Sequence, residues 1–205
     1  MIDYFVRYHD KLLAALGEHV VLVATGLALS LVLAASLTLL CIYSKRASEA
    51  VVGVCSMIYS IPSLAMFALL IPLTGLGKGT AILVLILYNQ YLLLRNFVTG
   101  LNEVEPAVVD AATGMGMTNM QVLFKIRLPL ARRALLTGVR LAVVSTIGIA
   151  TVAASINAGG LGTILFDGLR TYNVDKIVWG SLLLAGLAIV VNAVLGFAEK
   201  RIANK

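Results

Sequence analysis

Five long apolar runs, at residues 20–43, 50–73, 80–98, 134–156 and 177–198, alternate with shorter polar stretches. Each is close to the roughly 20 apolar residues that a helix needs to cross a bilayer. The second is interrupted by Pro62; the third holds Asn89, Gln90 and Arg95; the fourth has Arg140 near its start. Between the third and fourth lies a stretch of different character, residues 110–129, DAATGMGMTNMQVLFKIRLP.

That stretch carries helix signals in sequence. Glu105-Pro106 reads as a helix start, since proline suits the first helical position. Gly114 and Gly116 break the helix. Thr118 and Gln121 then have capping-box spacing, and Met117 and Val122 sit where a hydrophobic staple would. Met120, Leu123 and Phe124 follow at i, i+3, i+4, on one face. Lys125 and Arg127 stand where the helix dipole favours cations. Leu128-Pro129 is expected to discourage further helix. Two short helices joined by a glycine turn have the form of a docking device. A basic amphipathic helix lying on the membrane surface is the other reading.

Composition decides the solvent. The chain is 60% hydrophobic and 13% charged, with mean hydropathy +0.98. Soluble domains carry roughly a quarter charged residues. This is an all-α integral membrane protein, long enough for one bundle. Cys41 and Cys55 fall in or beside apolar runs and imply no disulfide framework. The polar, mixed-charge start does not read as a signal peptide.

Five spans put the two ends on opposite sides. With the N-terminus outside, Lys45, Arg46, Lys125, Arg127, Arg132, Arg133, Lys200, Arg201 and Lys205 are cytoplasmic, and Arg7, Lys11, Lys78, Arg170 and Lys176 are external. Nine against five favours this orientation. Arg95 and Arg140 then snorkel toward the cytoplasmic interface. Topology and anionic inner-leaflet lipid account for the net charge of +6 without any nucleic acid. The expected layout is an external segment at 1–18, a membrane domain at 19–199 with its cytoplasmic loop at 103–133, and a tail at 200–205.

Catalytic chemistry is missing. The nearest phosphate-loop candidate, Gly75-Leu76-Gly77-Lys78-Gly79-Thr80, has Gly79 between the lysine and the hydroxyl, where a Walker loop needs them adjacent. His9 and His19 lack a clustered ligand set. No cofactor or metal is expected in this chain, and energy must come from a partner.

The 110–129 stretch resembles the EAA loop of bacterial binding-protein-dependent ABC importer permeases. Asp110, Ala111, Ala112, Gly116, Ile126, Leu128 and Pro129 fall on that loop's positions, with Asp110 in place of glutamate as the sole departure. Ile61-Pro62-Ser63-Leu64-Ala65, Ile71-Pro72-Leu73, Leu94-Arg95-Asn96, residues 113–118 and residues 158–162 are similar to the glycine betaine, carnitine and choline branch. The resemblance covers residues 18 to 200. It implies a five-span type I ABC importer transmembrane domain with a cytoplasmic coupling helix, in the bacterial cell membrane. It also implies an osmoprotectant substrate, two copies of a cytoplasmic ATPase holding ATP and Mg, a second permease (identical or sister) and an extracellular substrate-binding protein. Permeases of other importer branches, such as amino-acid importers, share the loop, and an ATPase-independent channel is the reading from another class.

On that reading, Asp110, Ala111, Ala112, Gly116, Thr118, Met120, Gln121, Leu123, Phe124, Ile126, Leu128 and Pro129 are the ATPase-coupling set. Ser60, Pro62, Ser63, Asn89, Gln90, Ser145 and Thr146 form a mid-depth polar belt that lines a translocation pathway at the subunit interface or simply bonds helix to helix, with Asn89 and Gln90 placed on the pathway or at the dimer seam. Tyr59, Tyr88 and Tyr91 surround it, as packing first and as quaternary-ammonium contacts second. Asn157, Gly159, Gly160 and Gly162 form an external hinge, gate element or plain loop. Asp167, Arg170, Asp175 and Lys176 are placed to meet the binding protein, and Trp179 to anchor the fifth span at the interface.

Overall fold

The computed structural model describes residues 2–203, which are almost wholly helical, with no strand among them. Helix α1 runs from Ile2 to Cys41 and is kinked at Tyr8. Residues 2–18 of the expected external segment are therefore the first part of the same helix. The reason is a buried stripe at Leu12, Ala15, His19, Leu22, Ser30, Ala34, Thr38 and Cys41, which keeps helical period through the charged N-terminal part.

Ser44 caps α2 (Lys45–Ser60) by accepting the Ala47 amide. Helix α3 (Ser63–Thr74) follows at a bend of 97°. Pro62 lacks an amide proton and pushes Ile61 into extended backbone, so the second apolar run is a broken helix. Helix α4 spans Lys78–Asn102, and α5 spans Pro106–Gly114. A four-residue helix α6 (Asn119–Val122) passes through a π-helical turn (Leu123–Arg127) into α7 (Leu128–Val152). A 3-10 turn (Ala153–Ile156), α8 (Leu161–Arg170) and α9 (Val174–Ala203) complete the order. Four helical stretches are long and apolar enough to cross a membrane, and the α2–α3 pair makes a fifth if counted as one span.

One expectation fails here. Leu128-Pro129 does not end the helix but lies inside it. In the π turn the Leu128 amide reaches back to the Leu123 carbonyl, and this widened turn takes up the register change next to a proline that has no amide to give.

Helix α4 is the centre of the bundle, packed on α1, α2, α3 and α7. Its contact with α7 is close because a glycine faces it: a Cβ on Gly138 would stand 2.7 Å from the Asn96 Cβ. Phe67, Val84, Leu85, Ile147 and Ala150 form the main core. Ile42, Leu101, Val104, Leu123 and Ala131 form a smaller one beneath the 103–133 loop. We call that end of the bundle the loop end and the opposite one the far end.

Candidate functional site

The loop is built by two capping motifs. At the end of α5 the Gly116 amide returns to the Thr113 carbonyl at 2.9 Å and the Met117 amide to the Ala112 carbonyl at 3.2 Å. This reversal requires a left-handed residue, and Gly116, at φ 86°, supplies it. Thr118 then accepts the Gln121 amide at 3.3 Å while Gln121 Oε1 accepts the Thr118 amide at 2.8 Å, the reciprocal box that the spacing predicts. Tyr43, just beyond α1, ties the turn down by donating to the Asn119 carbonyl at 3.2 Å.

The loop's side chains divide in two. Ala112, Val122 and Leu123 are buried, and Ile126 and Leu128 pack half-buried on the small core. Leu123 therefore leaves the exposed face on which its spacing placed it, because it seals the core beneath. Asp110, Ala111, Gly116, Thr118, Gln121 and Pro129 are exposed. So are Met120 and Phe124, each 53% exposed, and Met115 at 78%. Uncovered apolar side chains on a capped, rigid loop mark an interaction surface, and methionine adapts to the shape of a partner.

The polar belt does not stay together. Asn89 donates to Ser30 Oγ at 3.2 Å and accepts the Thr146 hydroxyl at 3.0 Å, which joins α4 to α1 and α7. Gln90 Nε2 donates to the carbonyls of Ser30 and Ile86, while its Oε1 is buried without a partner. Asn89, Gln90, Thr146 and Ser30 are all buried within the subunit. Within the subunit Asn89, Gln90 and Thr146 thus bond helix to helix, the other of the belt's two readings. A polar side chain in hydrocarbon is costly, and three helices meet at this point to satisfy it. Ser145, one residue away, is only half-buried.

Ser60, Pro62 and Ser63 behave differently. They sit at the α2–α3 bend, with Ser60 and Pro62 exposed and Ser63 half-buried. Ser60 turns its hydroxyl to the Ser56 carbonyl at 2.8 Å. The bend is held by Tyr88, whose hydroxyl donates to the Ile61 carbonyl. Tyr59 lies against both Tyr88 and Tyr91 with its ring tilted to each, the centroids at 5.7 and 5.0 Å. Those tyrosines pack on one another, and Tyr91 also accepts a hydrogen bond from Arg95 at 2.8 Å.

At the far end, Asn157 takes φ 64° and Gly159 and Gly160 take φ 86° and 81°. The Gly160 amide donates to Glu18 Oε2 at 3.0 Å, and Gly162 lies directly on the Thr151 carbonyl. The segment is thus packed against α1 and α7 and does not hang as a free loop. Nearby, Lys176 donates to Asp167 at 2.6 Å, which holds the Asp167 carboxyl below the ordinary carboxylate range. Trp179 stacks on Phe5, with centroids 4.7 Å apart.

Residues 26–205 match the family described as binding-protein-dependent transport system inner membrane component. The chain belongs to that family. The carnitine transport permease protein OpuCB of Listeria monocytogenes is 33% identical to it, over the whole chain and 94% of that protein. The glycine betaine/carnitine/choline transport system permease protein OpuCB of Bacillus subtilis is also 33% identical, with the same coverage. Among solved structures, the inward-facing MetNI methionine ABC transporter superposes with a TM-score of 0.79 at 22% identity, over 98% of this chain and 97% of that one. The fold is that of a type I ABC importer transmembrane subunit. The chain is a multi-pass transport permease of the bacterial membrane, not an enzyme, and it works with a binding protein and a separate ATPase.

For this family member, sequence reasoning missed Ser30, Tyr88 as the holder of the bend, and Glu199 with Asn192. The last two carried a signal. Arg140 does not snorkel alone, as expected. It donates to Asn192 Oδ1 at 2.7 Å and to Glu199 Oε2 at 3.2 Å. An acid and an amide near the end of an apolar helix, opposite an unpaired arginine, point to such pairing.

Proposed function

We propose that this chain is the permease of an ATP-driven importer of quaternary ammonium osmoprotectants (glycine betaine, carnitine and choline). Its loop end is cytoplasmic and seats the ATPase on Met120 and Phe124. The observation that carries this reading is the loop: two short helices, capped at both sides of Gly116, held on a core by Leu123 and still presenting bare apolar side chains. The excess of lysine and arginine at the loop end supports a cytoplasmic placement, with the N-terminus outside. The names of the relatives support the substrate class.

In this reading two ATPase copies hold ATP and Mg and drive a pair of permeases, identical or sister, while an external binding protein delivers solute to the far end. Helix α6 and the π turn are continuous with α7, so a shift of the docked ATPase moves a span as a rigid body. Ser60, Pro62 and Ser63, at the exposed bend, remain the pathway candidates. Asn157 to Gly162 form the external hinge.

The test is uptake of radiolabelled glycine betaine, carnitine and choline into proteoliposomes holding permease, ATPase and binding protein. ATP-dependent uptake that Phe124→Asp abolishes, with the permease still inserted, is the expected result. ATP-dependent uptake of an amino acid instead would keep the loop and overturn the substrate class. Flux without the ATPase would replace the importer with a channel.

A further inference from the structure

Along α7, Arg133, Thr137 and Arg140 make a stripe at i, i+4 and i+7, and along α9, Asn192, Gly196 and Glu199 make another with the same spacing. The two helices run in opposite directions, so the stripes meet. Arg140 lies across the second stripe, with Nε on Asn192 at 2.7 Å and Nη1 on Glu199 at 3.2 Å. Gly196 makes the notch beneath it, where an added Cβ would stand 3.3 Å from the guanidinium carbon. The second carboxylate oxygen of Glu199 accepts the Thr137 hydroxyl at 2.9 Å and lies 4.0 Å from Arg133. The Glu199 side chain is only 14% exposed. A carboxylate withdrawn this far from water is costly unless paired, and among the described residues its pairings come from Arg133, Thr137 and Arg140 of α7.

The position of this joint matters more than its strength. A groove of about 660 Å³ runs between α5 and the start of α7, bordered by Glu103, Val108, Ala134 and Thr137, and α5 meets that end of the bundle through Val109 on the small core. The continuous helical path from the loop into a span is α6, the π turn and α7, and it carries a displacement of the loop into the bundle. Elsewhere along α7, α9 packs through half-buried apolar side chains such as Leu187 and Val191, while its Lys176–Asp167 pair goes to α8. Apolar contacts slide past one another at little cost. A guanidinium seated in a glycine notch and bonded on both sides does not, because sliding breaks directed, charge-assisted bonds.

We infer that the Arg140–Asn192–Glu199 joint is the strut that makes α9 move with the loop. Arg140 and Glu199 are positioning residues for transport, acting through α9. The inference rests on the loop being the ATPase seat.

The test uses the full complex in proteoliposomes, with solute import and ATP hydrolysis measured together. Arg140→Met and Gly196→Val each remove the joint, the second without touching a charge. In both, the ATPase still co-purifies and hydrolyses ATP, while solute imported per ATP falls about tenfold. Arg140→Lys recovers part of that loss, because it keeps the bond to Glu199 and loses the one to Asn192. Should Arg140→Met fail to insert, Gly196→Val carries the test. Import per ATP at the native value, or import and hydrolysis falling together with the amount of inserted permease, would overturn the strut. Phe124→Asp alongside tells this failure from failure of the seat: if that variant keeps its ATPase, the docking reading is the one at fault.

Discussion

At mid-bundle, Asn89, Ser30 and Thr146 are polar groups in apolar surroundings, and each finds its partner inside the chain. At the loop end, Met120 and Phe124 are apolar groups in polar surroundings, and the subunit leaves each 53% exposed. Both regions break the simple pattern of apolar spans and polar loops, but the subunit repairs only the first. A misfit that is repaired holds helices together. A misfit left bare is where something else belongs. The same contrast separates Leu123, one position along from Val122 and sealed on the core, from Phe124 beside it, pointing away.

The comparison breaks first, and most visibly, at Phe124. Phe124→Asp puts a charge at the centre of the bare patch and should weaken ATPase capture by at least about thirtyfold, as loss of a buried aromatic anchor does. Co-purification at graded permease concentration measures it. Gly162→Ala comes next, because its new methyl must displace the Thr151 carbonyl. A loss of about 2 kcal/mol in stability is expected, read as an earlier thermal transition in detergent. Asn89→Ala removes two interhelical bonds worth about 0.6 kcal/mol each, so stability should fall by roughly 1 kcal/mol while uptake by the inserted protein stays native. Lost uptake at unchanged stability would return Asn89 to the pathway. The smallest effect belongs to Thr118→Ala, which removes one side of the capping box. It should loosen the loop by somewhat under about 1 kcal/mol, seen as faster amide exchange at 119–122 with ATPase capture reduced but not lost.

Much of this was legible in the letters. Apolar runs locate spans because a bilayer leaves the backbone few alternatives, and the loop's caps are local motifs whose partners lie within six residues. What the letters hid is long-range or compensated. Ser30 sits 59 positions from Asn89, and nothing near either residue announces the other. The charged residues at 7–18 masked a buried stripe that runs unbroken from Leu12 into the first span. Pro129 reads as a stop in any window of a few residues, and only the π turn before it shows how the helix continues. Arg140 and Glu199 are each legible as misfits, yet their pairing depends on α7 and α9 lying side by side, which the order of elements alone does not fix.

The central claim, that the bare face of the loop is the ATPase seat, is tested most directly by proximity. Both native cysteines are buried, so a single introduced surface cysteine accepts a photoreactive maleimide selectively. Met120→Cys carries it at the loop end, and Tyr172→Cys, at a position 90% exposed at the far end, serves as control. A crosslink from position 120 to the ATPase is expected in the assembled complex, and none from position 172. Crosslinks from position 120 to lipid alone, with the ATPase present and active, would contradict the claim and return the loop to the membrane surface.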